Sequence, residues 1–115
     1  MDVIDKKLFV DSFQYFDKEI IAEIIDIFLD DYSERLTTIK NSIDTLNFEE
    51  LKFHAHSLKG VVANFAAPSV QEIAKSLETK GVNSENINLL EDFEILNTLT
   101  NQLAEELKAM KADYS

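Results

Sequence analysis

Apolar residues recur along this chain at spacings of three and four, and they fall into several stripes, each the width of one buried helix face. The longest stripe runs Ile21, Ile25, Phe28, Tyr32, Leu36, Ile39, Ile43 and Leu46 and predicts a helix over about residues 18–46. Ile20, Ile24 and Leu29 widen its apolar face near the start, and Asp17 with Glu19 suits a capped, dipole-complemented N-terminus. Ahead of it, Ile4, Leu8, Phe9, Phe13 and Phe16 predict a short helix over about residues 5–14, lying across one end of the domain. Asn47 is expected to end the long helix in the left-handed conformation, and Asn47-Phe48-Glu49-Glu50 to cap the next one. That third helix runs from about Phe48 to Phe65 with Phe48, Leu51, Ala55, Leu58, Val62 and Phe65 inward. Pro68 interrupts. Ser69-Val70-Gln71-Glu72 has the form of a second capping box and opens a fourth helix with Val70, Ile73, Ala74 and Leu77 inward. It is expected to end near Thr79 with Gly81 just past it, followed by a polar loop over 81–84. Leu89, Phe93, Leu96, Leu99, Leu103, Leu107 and Met110 give a last helix over about 85–112. The expected fold is all-α: an antiparallel up-and-down four-helix bundle with a short additional N-terminal helix, residues 1–115 forming one domain.

Composition removes several alternatives. Two glycines and one proline are too few for a turn-rich β fold, and neither glycine sits in a phosphate-cradling loop pattern. With no cysteine there is no disulfide framework, thiolate zinc site or thiol nucleophile. A net charge of −11 argues against nucleic acid and against an anionic membrane surface as partners. Met1-Asp2-Val3-Ile4-Asp5 lacks the basic and long apolar regions of a signal peptide, and no apolar run approaches the ~20 residues that span a bilayer. These features lead us to expect a cytoplasmic helical domain, and the initial Met1 fits a free-standing protein.

One stretch departs from the pattern. Phe53-His54-Ala55-His56-Ser57-Leu58-Lys59-Gly60 holds both histidines of the chain and places a glycine inside a helix, where it costs about 1 kcal/mol against alanine. At 100° per residue, His54 and His56 point about 200° apart, so they cannot chelate one ion, and no metal site is expected. His56 lies on the outward face with Lys52, Phe53, Ser57, Gly60 and Asn64, while Lys59 and Ala63 occupy the shoulder beside it and His54 lies nearer the core. Lys59, at i+3, can reach an anion bound to the His56 imidazole. Gly60, at i+4, leaves room for a partner's backbone. Phe53 suits either of two places, under the N-terminal helix or in a contact patch. On spacing alone His56 reads most simply as a solvated histidine. A neutral imidazole with a neighbouring ammonium is also equipped to attack phosphorus and carry a phosphoryl group.

His56-Ser57-Leu58-Lys59-Gly60 matches the His-x-x-Lys-Gly signature of histidine-containing phosphotransfer (HPt) domains. Asn64-Phe65-Ala66-Ala67 at the helix exit, Ile25-Phe28-Leu29-Asp30-Asp31 before it and Ile73-Ala74-Lys75-Ser76-Leu77-Glu78 after it resemble the same family, so the likeness covers roughly residues 4–110. The sequence departs from the family at Ala66, where glycine is frequent, and at Val61 and Val62, where small residues are. The resemblance implies a phosphorelay carrier: His56 accepts a phosphoryl group from an aspartyl phosphate of a response-regulator receiver domain and passes it to another receiver. It implies no autonomous kinase activity, no cofactor in this chain, Mg²⁺ held by the receiver, and a monomer that meets receivers and a sensor or hybrid histidine kinase. It also implies a residue on the neighbouring helix that holds the protonated ring nitrogen of His56. By position that residue is Glu78, with Gln71 and Lys75 either lining the same surface or, more simply, solvated. The alternative is a docking module that binds a response regulator without phosphate exchange.

Overall fold

The computed structural model describes residues 2–114, and Met1 and Ser115 lie outside them. Among the described residues every regular element is helical: α1 (Lys6–Phe13), α2 (Lys18–Asp44), α3 (Phe48–Val62), a 3₁₀ turn (Ala63–Phe65), α4 (Pro68–Asn83) and α5 (Leu89–Lys111). The four longer helices close a ring, with α3 packed on α2 and α4, and α5 packed on the same two. The long dimension, 42 Å, is close to the ~40 Å that α2 spans at 1.5 Å per residue.

The predicted stripes form one core. Ile25, Phe28 and Ile39 from α2 meet Leu51, Ala55, Leu58 and Val62 from α3, Leu77 from α4 and Leu96, Leu103 and Leu107 from α5, all fully buried. Phe28 stacks on Tyr32 at 5.4 Å and meets Phe65 edge-on at 5.2 Å, which fixes the exit of α3 against α2. The N-terminal segment is fastened to one end of this arrangement, where α3 exits and α5 finishes. The amides of Val3 and Ile4 donate to the Glu106 carboxylate at 2.8 and 2.9 Å, and the Asp5 amide donates to the Ala66 carbonyl at 2.8 Å. Phe9 and Phe13 are buried there, whereas Leu8 and Phe16, expected inward, are half-exposed.

The helix ends differ from expectation in informative ways. The left-handed residue after α2 is Leu46 (φ 51°), not Asn47, so Leu46 leaves the buried stripe. Asn47 keeps its other role: its side chain accepts the Glu50 amide at 3.2 Å and caps α3. α3 tightens into the 3₁₀ turn after Val62, and Ala66 then adopts φ 54°, a conformation glycine enters without strain. The Ser69 capping box does not form, because α4 already begins at Pro68, whose missing N–H costs nothing at a first helical position. Gly81 is not a helix terminator. α4 continues through it to Asn83, and the left-handed cap is Ser84 (φ 52°). A Cβ on Gly81 would lie 2.7 Å from the Lys52 backbone nitrogen and 2.9 Å from its Cα, so this glycine lets α3 and α4 touch backbone to backbone. α5 starts at Leu89 rather than 85, and Lys80 clamps the connection by donating to the Ile87 carbonyl at 2.8 Å and to Asp92 at 2.6 Å.

Candidate functional site

The close packing of α3 on α4 brings three of the expected site residues together. Glu78 of α4 lies between Lys59 and His56 of α3. Lys59 Nζ donates to Glu78 Oε1 at 2.6 Å, and His56 Nδ1 stands 2.7 Å from Glu78 Oε2. The Lys59 ammonium, and then the His56 ring, hold the Glu78 carboxyl below its ordinary range, with partial burial working the other way. Glu78 is therefore an ionised carboxylate at neutral pH and can only accept hydrogen bonds. Nδ1 then donates to that carboxylate, and in the neutral ring this leaves the lone pair on Nε2. The imidazole is two-thirds exposed while Glu78 is largely covered, so the ring is gripped at one edge and open at the other.

The other expected residues are distributed over two flanks. Gly60 is exposed, and a Cβ there would meet nothing within 4 Å. Unlike Gly81, it answers no packing need of this chain. Lys52 is half-buried, its backbone against Gly81 and its ammonium 3.3 Å from Glu49. Gln71 is half-buried on α4, and Lys75 is exposed. Phe53 is 66% exposed and lies edge-on to the His54 ring at 5.1 Å, so it is in the surface and not beneath α1. Ser57 is half-buried and its hydroxyl accepts from Arg35 Nη1 at 2.8 Å. Ala63 and Asn64 are exposed in the 3₁₀ turn. The histidines are separated as the wheel predicted. His54 lies in a recess with Asp31, Glu34, Arg35 and Thr38 on the α2 side, and His56 points to α4.

Two features had not been anticipated. Arg35, the one arginine of the chain, bonds Asp31 at 3.2 Å and Ser57 at 2.8 Å, tying α2 to the residue after His56. Beside it, Ile24, Ile27, Val61, Asn64 and Phe65 line a groove of about 220 Å³. The signal in the sequence was Ile27, an aliphatic residue off the buried stripe of α2. Among the described residues no group of three His, Asp or Glu could hold a metal ion. The one carboxylate at His56 has both oxygens engaged, so this donor set does not suit a divalent cation.

A family profile described as Hpt domain matches residues 23–113, well over half of the chain. Among solved structures, the fold is similar to the crystal structure of histidine-containing phosphotransfer protein B (HptB) from Pseudomonas aeruginosa PAO1. The TM-score is 0.88 at 20% identity, covering 97% of this chain and 96% of that one. No curated protein sequence matches.

Proposed function

The chain belongs to the Hpt domain family, and from that premise we propose that it is a phosphoryl carrier whose acceptor atom is His56 Nε2. The observation that carries this reading is the Glu78 carboxylate on His56 Nδ1, which leaves Nε2 as the nucleophile on an exposed face. In the proposed step the Nε2 lone pair attacks the phosphorus of a receiver's aspartyl phosphate. The P–N bond forms as the P–O bond to the aspartyl carboxyl breaks, and the carboxylate leaves on the receiver. The ring becomes an N-phospho-imidazolium, and its Nδ1–H stays on Glu78. Lys59 stands one helical turn away to offset phosphoryl charge, and Gly60 gives the receiver backbone clearance. Mg²⁺, supplied by the receiver, neutralises charge on the transferring group.

The remaining parts of the reading follow from the same premise. The ring of helices is an antiparallel up-and-down bundle, residues 1–115 act as one domain, and the protein works as a cytoplasmic monomer. Its partners are receiver domains and a sensor or hybrid kinase. Among the described residues no helix is long and apolar enough to cross a membrane. Receiver domains charged with radioactive phosphate, mixed with wild type, His56→Gln and His54→Gln, test the proposal. Acid-labile phosphohistidine is expected on wild type and His54→Gln only. Label on His56→Gln refutes the assignment, and stable binding without any label leaves a docking module.

A further inference from the structure

His56 and Glu78 lie where α3 meets α4, and the opposite edge of the ring is the seam between α2 and α5. Two open recesses follow one another along that seam. One, of about 220 Å³, is floored by Leu36 and Phe93 and rimmed by Ser33, Thr37, Asn97 and Asn101. The other, of about 460 Å³, lies where α2 ends and α5 begins, lined by Ile43 and Leu46 from one and Leu89 and Leu90 from the other. Leu46 is 46% exposed and holds φ 51°, a backbone conformation that leucine enters at a cost and asparagine or glycine more easily. Leu90, on the α5 side of the same recess, is 53% exposed. Two leucines, one of them strained, are thus presented to solvent at the end of a groove that α2 borders from Ser33 to Asp44, about 16 Å at 1.5 Å per residue.

Charge decides what can cover them. Asp44 at the rim is matched by Lys40 at 2.8 Å, whereas Glu91 has no lysine partner among the described residues and Glu94 follows it one turn on. A second copy of this chain would bring carboxylates to carboxylates and join two chains of net charge −11. The occupant is therefore of opposite sign, and a groove between two helices takes the apolar stripe of a third. We propose that the α2–α5 seam is a second docking groove, and that it takes a basic amphipathic helix of about three turns from a partner protein. Its aliphatic side chains sit between Leu46 and Leu90, and a lysine or arginine meets Glu91. Because the seam is on the far edge of the ring, that helix stays bound while His56 remains open. The partner is thereby tethered, at a raised effective concentration, during exchange. The tethering, though not the docking, rests on the phosphotransfer reading above.

The probe is a capped synthetic peptide of roughly 12 residues, about the length of the groove, with leucine at i, i+3, i+4 and i+7 and lysine elsewhere. Its control has the same residues in an order that leaves no stripe. Each is titrated into ¹⁵N-labelled protein. The striped peptide should shift the amides of Thr37, Leu46, Leu90 and Asn97 and leave Gly60 and Asn64 in place, and the control should bind at least about tenfold more weakly. Leu46→Asp and Leu90→Asp should each raise Kd about tenfold. Glu91→Lys should weaken binding at low salt and reduce its salt dependence, and Val82→Asp on α4 should do little. Aspartate enters the left-handed region more readily than leucine, so Leu46→Asp should fold, as circular dichroism checks. Equal binding of the two peptides, shifts centred on Phe53 and Ile27, or a Kd unmoved by both leucine variants overturns the inference. With the peptide bound, phosphoramidate should label His56 as in its absence, and a block overturns the tethering. Failure of phosphoramidate to label His56 without peptide counts against the carrier reading and leaves the groove standing.

Discussion

The two glycines of the chain should respond to alanine with opposite signs. Both are inside helices, where alanine is better by about 1 kcal/mol. At Gly60 an added Cβ meets nothing within 4 Å, so Gly60→Ala should gain that amount nearly whole, raising the melting temperature by about 4 °C. At Gly81 the same Cβ would stand 2.7 Å from a backbone nitrogen and 2.9 Å from a Cα of Lys52. Backbone cannot swing aside as a side chain does, so α3 and α4 must separate. Such overpacking costs about 1–3 kcal/mol. The close approach to backbone puts this site at the upper part of that range, and the propensity gain offsets about 1 kcal/mol of it. Gly81→Ala should therefore lose about 1–2 kcal/mol, and the two variants should differ by about 2–3 kcal/mol. Urea unfolding followed by circular dichroism measures both. The reasoning fails if the two midpoints move the same way, or if Gly60→Ala gives no gain. The stabilised Gly60→Ala protein should nevertheless take phosphate from a receiver more slowly than wild type, because its new methyl stands on the face a partner must approach.

Three further outcomes follow from the site and the caps. Glu78→Gln should redistribute the His56 proton between Nδ1 and Nε2, read as a change in the ¹⁵N shifts of the ring, and slow phosphate uptake; an unchanged tautomer would remove Glu78 from the mechanism. The Glu78 carboxyl is lowered in the fold, so its contribution to stability is present above its ordinary value near 4.5 and is lost as pH falls through the lowered one. Acid unfolding of Glu78→Gln should accordingly lack that part of the pH dependence. Asn47→Ala should cost about 1 kcal/mol in urea unfolding through the lost cap of α3, with no effect on the His56 tautomer.

Legibility in the sequence followed the physics of each feature. Stripe positions such as Ile25, Leu58 and Leu103 could be read because burial imposes a 3.6-residue period. His56 could be put on an outward face because helix register is rigid, whereas Glu78 was named only through the family resemblance; the two side chains stand 2.7 Å apart. Gly81 was misread because a glycine near a helix end has two uses, termination and close packing, and only the neighbour's backbone tells them apart. Leu46 was misread for a related reason. Periodicity places it in the stripe, but the chain must reverse within three residues, and the reversal takes a left-handed residue regardless of side chain. The groove of Ile24, Ile27 and Val61 was invisible because it belongs to two helices, and its depth depends on how they cross.

Glu78 touches both the ring and the ammonium, and this bears on how a carrier can release what it accepts. At rest one carboxylate accepts from the Lys59 ammonium through one oxygen and faces His56 Nδ1 through the other. In the proposed phosphorylated state the ring is cationic, so its bond to Glu78 becomes charge-assisted and stronger. The phosphoryl oxygens, on the far edge of the same ring, compete with Glu78 for Lys59. One contact tightens as the other loosens, and the two changes oppose one another in free energy. A residue that bound only the phosphoryl group would stabilise the loaded form and hinder onward transfer. In the proposed carrier, a lysine already engaged by a carboxylate would lend part of its charge to either state, so the loaded and unloaded forms would lie closer in energy than with a lysine that bound the phosphoryl group alone.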